Sequence, residues 1–174
     1  DDPMATAKIL SKAKEVGGDR WSAIINDQDI GVSAFENDYC KHLVSEAISS
    51  LGNLYTEMEE KRARRLCLSL YKEFRLQKIK ADMVKGSRHS VIIVNKKEIK
   101  IFIPFVSSAK DIIFKVQLLI GHIKTLEALL SKKLTEQTID ISLVVDSDLN
   151  TDFLEMLHLT NINYLLHSTK QEKV

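Results

Sequence analysis

Thirteen of the chain's 25 Lys and Arg residues fall between positions 61 and 100, where only three Asp or Glu accompany them, giving a net charge of +10. They are Lys61, Arg62, Arg64, Arg65, Lys72, Arg75, Lys78, Lys80, Lys85, Arg88, Lys96, Lys97 and Lys100. Side chains of this type neutralise phosphates and release the counterions condensed around nucleic acid, so binding through them falls steeply with salt. Residues 1–60 carry the opposite sign, −7, and residues 101–174 carry −2, so the whole chain stands at only +1. Aromatic residues inside the basic stretch are limited to Tyr71 and Phe74. That points to phosphate-backbone contacts rather than to base stacking along a single strand. The competing reading is a solvated face, partly balanced by the acidic N-terminal region.

Other reactive side chains form no pattern. His42, His89, His122, His158 and His167 are scattered, and no Gly-rich phosphate loop, zinc-type spacing or nucleophile elbow is present. No metal site is expected from these residues. Asp146, Asp148 and Asp152 read as a turn and a helix cap. Cys40 and Cys67 sit in helix-like apolar surroundings and are expected to be small buried thiols. Two cysteines and no signal-peptide pattern lead to an expected intracellular location, cytoplasmic or nuclear. No apolar run approaches the roughly 18 residues of a membrane span. Asp1-Asp2-Pro3 ahead of Met4 reads as a cloning remnant.

The elements that must position the basic side chains follow from periodicity. Residues 4–15 are helix formers stopped by Gly17-Gly18. Residues 19–32 form a loop or short helix anchored by Trp21, Ile24 and Ile25. Ser33 and Glu36 have capping-box spacing. Phe35, Tyr39, Leu43 and Ala47 follow every fourth residue, with Val44, Ile48 and Leu51 beside them, as one apolar stripe. A second helix is expected from about Leu54 to Leu76. Its apolar positions are Leu54, Met58, Ala63, Leu66, Cys67, Leu70 and Phe74. Its acidic start (Glu57, Glu59, Glu60) and basic later part complement the helix dipole. The short segment 81–84 and residues 90–94 and 98–105 read as two or three strands in succession, an antiparallel meander with Pro104 at an end or edge. Ser107-Ser108 would cap a long amphipathic helix carrying Ile112, Ile113, Val116, Leu119, Ile120, Ile123, Leu126, Leu129 and Leu130. A strand over 139–145, a short helix over 152–159 and a strand over 162–167 complete the order.

Within that order Asp82 lies on one expected strand, and Glu98-Ile99-Lys100 follows 16 residues later on another. The order of elements resembles the PD-(D/E)xK, or restriction-endonuclease-like, nuclease fold over roughly residues 40–167. The resemblance implies an acid on one strand and an acid-x-Lys on the next. These would bind Mg²⁺ or Mn²⁺ and position a water for phosphodiester cleavage. This chain has Ala81 where the family has Pro. Pro104-Phe105-Val106 stands where the family carries its acid-x-Lys, just before the helix. These departures make the resemblance one to a degenerate scaffold.

The expected fold is therefore α/β or α+β, with a helical N-terminal half packed on a mixed sheet of about five strands, a β-meander and then α-β-α-β. Residues 1–32 would form an N-terminal helix and loop, and residues 33–174 a single core domain. The leading expectation is a non-enzymatic nucleic-acid-associated protein without cofactor. Arg62, Arg64, Arg65, Lys72, Arg75, Lys78, Lys80, Lys85, Arg88, Lys96 and Lys97 would contact DNA or RNA backbone. The first alternative is a metal-dependent nuclease using Asp82, Glu98 and Lys100 with Mg²⁺ or Mn²⁺. The second is a protein-interaction or self-assembly module, in which the acidic helix start pairs with the basic face of another copy.

Overall fold

The computed structural model describes residues 23–25, 32–51, 55–84, 90–106, 112–146, 157 and 160–169. The expected helix over 4–15, Trp21, Leu54, Ser107-Ser108, Asp148, Asp152 and most of the expected helix over 152–159 lie outside them. Ile24 and Leu157 are described and buried in the core.

Helix α1 spans Ala34–Ser50. Ser33 stands before it in extended conformation, and its side chain accepts the Glu36 N–H at 3.2 Å, which satisfies one of the free N–H groups of the first turn. Cys40, Leu43, Val44, Ala47 and Ile48 are buried. Phe35 and Tyr39 are not, at 81% and 50% exposure, which corrects the stripe expected from spacing. The reason is geometric. Each step of four residues turns about 40° past a full circle, so Leu43 and Ala47 rotate into the core and leave the two aromatic rings outside.

Helix α2 spans Glu57–Leu76 and begins with a complete capping box. The Thr56 hydroxyl accepts the Glu59 N–H at 3.2 Å, and the Glu59 carboxylate accepts the Thr56 N–H at 3.0 Å. Ala63, Leu66, Cys67, Leu70 and Phe74 fasten it to the sheet, while Met58, expected in that stripe, is exposed. Glu59 and Glu73 take up the remaining buried positions.

The sheet has five strands in the order β1-β2-β3-β4-β5: β1 Ala81–Met83, β2 Val91–Val94, β3 Glu98–Phe105, β4 Thr138–Asp146 and β5 Tyr164–His167. The first three form the antiparallel meander. Helix α3, Ile112–Lys133, is the crossover that a parallel connection needs, and β4 and β5 then run parallel to β3. The mixed α/β fold expected from the sequence is the fold observed.

Pro104 is in β3, the middle strand, beyond the last β2 pair (Val91 with Phe102). Its carbonyl accepts the Tyr55 hydroxyl at 2.6 Å. The short β2 thus leaves a stretch of β3 where a missing N–H costs no ladder bond.

The register divides the sheet into two faces. Phe102 meets Phe74 of α2, centroids 5.3 Å apart, and Ser69 of α2 lies 2.8 Å from His167. The α2 face therefore carries Ala81, Ile93, Glu98, Lys100, Phe102, Asp140, Ser142, Asp146 and His167, aligned by strand pairing. The opposite face carries Asp82, Ile92, Ile99, Ile101, Ile103, Phe105, Ile141, Leu143 and Val145 and packs under α1 and α3. Burying Phe74 and Phe102 contributes roughly 1.5–3 kcal/mol per ring. On α3 the buried stripe is Val116, Leu119, Ile123, Leu126 and Leu130; Ile113 and Leu129, expected in it, are exposed. Among the described residues no helix is long and apolar enough to cross a membrane.

Candidate nucleic-acid interface

The apolar stripe of α2 fixes which way its charges point. With Ala63, Leu66, Leu70 and Phe74 against the sheet, Lys61, Arg62, Arg64, Arg65, Lys72 and Arg75 are all exposed. Lys61 to Arg75 covers 14 steps along the helix, a rise of about 21 Å. Five of the six, all but Arg62, fall within an arc of about 100°. Leu68, 41% exposed, lies among them. None forms an ion pair with a described carboxylate; the pairs found are Lys41 with Asp38 and Asp82, His42 with Glu46, and Lys115 with Glu59. The Arg75 guanidinium lies 5.9 Å from the centre of the Tyr71 ring.

Helix energetics alone do not account for this face. Only Arg75 sits in the last turn, where the dipole favours a cation by about 0.3–1 kcal/mol. Lys61, Arg62, Arg64 and Arg65 lie in the N-terminal half. Lys61–Arg64, Lys61–Arg65, Arg62–Arg65 and Lys72–Arg75 are like-charged pairs at spacing three or four. Together they cost about 1–2 kcal/mol. Glu57 and Glu60, one turn ahead of Lys61 and Arg64, offset part of that.

Lys78, Lys80, Lys96 and Lys97 extend the positive surface. β1 and β3 both run antiparallel to β2 and so start at the same end of the sheet. Lys78 and Lys80 precede β1, and Lys96 and Lys97 precede β3; all four are exposed. Lys78 adopts a left-handed φ of 60° where the chain leaves α2 for the sheet. The β2–β3 turn is held by the Asn95 side chain, which accepts the Lys97 and Glu98 N–H groups at 3.0 and 2.7 Å. Gln137 braces it by donating to the Asn95 carbonyl at 2.6 Å. Lys85 and Arg88 lie outside the described residues.

The residues of the nuclease alternative are not brought together. Asp82 lies on the face under α1, its carboxylate 3.0 Å from Lys41. Glu98 and Lys100 are on the α2 face, and Lys100 is buried. The sheet stands between them, which corrects the expectation that Asp82, Glu98 and Lys100 could converge on a metal. Among the described residues no group of three His, Cys, Asp or Glu is placed to hold a metal ion. Lys100 is also lost from the exposed charge.

Three buried titratable side chains lie beneath this surface. Glu59, counted as part of an acidic helix start, is buried and accepts from Lys115 of α3 at 2.8 Å, with Lys115 5.8 Å from the Tyr55 ring centre. Burial pushes this carboxyl up, but Lys115 and the Thr56 N–H outweigh it and hold Glu59 below the usual carboxylate range. Glu59 is thus committed internally and does not serve an acidic docking face. Second, His167 is buried and hydrogen-bonded to Ser69, and burial pushes it down to about 4. It is a neutral core histidine at physiological pH. Third, Glu73 is buried with its Oε1 atom lacking a hydrogen bond, and burial raises its pKa. Cys40 and Cys67 are free and buried, as expected. Burial, with Glu36 nearby, pushes the Cys40 thiol up, and burial does the same to Cys67.

No family model matches this chain, and neither does any curated protein or solved structure.

Proposed function

We propose that this chain is a non-enzymatic nucleic-acid-binding protein that holds phosphate backbone on the exposed face of α2 and on the adjoining lysines at one end of the sheet. The observation that carries the reading is the set of six exposed α2 cations, five of them on one side, with no ion-pair partner among the described residues. A helix whose like-charged pairs cost about 1–2 kcal/mol, only part of it offset by Glu57 and Glu60, suits a polyanion that relieves the rest. The order of elements, a three-stranded meander followed by a helix and two parallel strands, supports a degenerate nuclease-like scaffold. At the end of β3, Phe102 packs on Phe74 and the Pro104 carbonyl is taken by Tyr55. Pro104, Phe105 and Val106, which carry no metal-binding group, stand where the resemblance would put catalytic groups. Two free, buried cysteines suit an intracellular setting.

The test is direct titration of a labelled duplex and a labelled single strand, each at 50 and 200 mM salt. Binding that weakens steeply with salt is the expected result. No binding of either probe at the lower salt would remove the reading.

A further inference from the structure

On α2 the ring beside the cations is the half-buried Tyr71, covered by Arg75 at 5.9 Å, whereas an open groove of about 460 Å³ on the other side of the sheet presents two exposed rings. Its walls are the N-terminal half of α1, the β2–β3 turn and the α3–β4 connection. Phe35 and Tyr39 project into it from successive turns of α1, 81% and 50% exposed. Lys96 and Lys133 line it from the other two walls, with Lys97 and Lys132 exposed beside them. Gln137 fixes the two non-helical walls to one another through its bond to the Asn95 carbonyl. The groove is therefore braced where the lysines stand.

We infer that this groove receives unpaired bases of a single-stranded segment that continues from nucleic acid held on α2. The inference rests on the nucleic-acid reading and narrows it to a substrate class, a duplex with a single-stranded tail. Three observations support that occupant. First, aromatic faces flanked by cations form the surface on which unstacked bases bind, irrespective of sequence. A blunt duplex hides its base faces and cannot use them. Second, Glu36 and Glu136 also line the groove. They disfavour a bare anion and suit a ligand that brings base amino groups beside its phosphates. Third, Lys96 belongs both to the groove and to the lysine-rich end of the sheet reached by α2 at Arg75. A strand leaving α2 there rounds the end of the sheet past Lys78, Lys80 and Lys97 and meets Phe35 and Tyr39.

The experiment compares a blunt duplex with the same duplex carrying a six-nucleotide tail, by fluorescence anisotropy at 50 mM salt. The proteins are the full chain and its Phe35→Ala/Tyr39→Ala variant. Both rings are outside the core, and circular dichroism checks that the variant stays folded. The tail should tighten binding to the parent chain by about tenfold or more, and the variant should lose that gain while holding the blunt duplex as before. As an independent readout, a photoreactive base in the tail should crosslink to peptides containing Phe35 or Tyr39. Three results would overturn the inference: no gain from the tail, an undiminished gain in the variant, or equal weakening of both probes. If even the parent chain ignores the blunt duplex and the tailed one at low salt, the underlying nucleic-acid reading fails instead.

Discussion

Replacing Arg64, Arg65 and Lys72 with alanine separates a binding surface from a merely solvated one. All three are exposed on α2, and five of the helix's cations share one side. If those five each meet a phosphate, the logarithm of affinity for duplex DNA falls against the logarithm of salt with a slope of about −4.5. A rise from 50 to 200 mM salt then weakens binding about 500-fold. The triple variant keeps Lys61 and Arg75 from that group, so its slope drops to about −1.8 and the same step costs about 12-fold. Stability should move the other way. The substitutions remove all four like-charged pairs, worth about 1–2 kcal/mol of repulsion, against the one favourable Glu60–Arg64 spacing, worth about 0.2–0.5 kcal/mol, and install the best helix former. The thermal midpoint should hold or rise, which excludes unfolding as the cause of lost affinity. The assay is anisotropy on a labelled duplex at four salt concentrations, beside a thermal melt. A variant whose salt slope equals that of the parent would show that these charges do not touch phosphate, whatever the absolute affinity.

Other perturbations test the architecture beneath the surface. Lys115→Met leaves Glu59 buried without its cation and should cost about 3 kcal/mol in urea unfolding, whereas Lys115→Met with Glu59→Leu should recover most of that loss. His167 titrates near 4 when folded against an ordinary 6.5. The unfolded chain therefore binds its proton first, and stability should fall by about 3 kcal/mol as pH drops from 6.5 to 4. His167→Gln should flatten that part of a stability–pH curve measured by denaturant. Glu73 has the opposite sign. Its raised pKa means the folded state holds the proton longer, so stability declines as pH rises from 4.5 through its folded pKa. Glu73→Met should then stabilise by about 1 kcal/mol at pH 7.5, and the gain should shrink in acid. Asp82→Ala breaks a partly exposed pair with Lys41 and should change stability by less than about 1 kcal/mol.

Much of the fold was legible because periodicity is a local property. β3 was expected over 98–105 and occupies those residues. The crossover helix and the strand after it also follow from one amphipathic stripe and one β-branched run. What was not legible depends on neighbours far along the chain. Glu59 reads as a dipole-complementing surface acid until Lys115, 56 residues away, arrives beside it. The sequence signal for its burial lies in Thr56, since a Thr followed three residues later by Glu is the capping pair, but the apolar pattern starts the helix at Leu54, three residues ahead of Glu57. Phe35 and Tyr39 were absorbed into an expected core stripe. They also lie outside the basic stretch 61–100, whose own aromatic residues are Tyr71 and Phe74, so only the fold brings them near its lysines.

Whether Asp82 could ever have joined Glu98 and Lys100 was decided by a single turn. The β1–β2 pairing sets Asp82 opposite Ile92, an even position opposite an even one. The β2–β3 pairing sets Ile92 opposite Ile101, so parity changes there. Side chains alternate along a strand, so residues aligned with Asp82 on β3 are odd-numbered, whereas Glu98 and Lys100 are even. Only Lys96 and Lys97 separate Asn95 from Glu98, and the Asn95 side chain locks this short turn by binding both following N–H groups. One residue more or fewer there would shift the register by one and exchange the faces of every later β3 side chain. It would bring Lys100 to the face of Asp82, but drive Phe102 off Phe74 and send Ile99, Ile101 and Ile103 out from under α1 and α3. The buried isoleucines therefore hold the register that keeps the two acids apart. Deleting Lys96 should consequently unfold the domain rather than create a metal site, and a folded Lys96 deletion that gained Mn²⁺-dependent cleavage would contradict this account of the sheet.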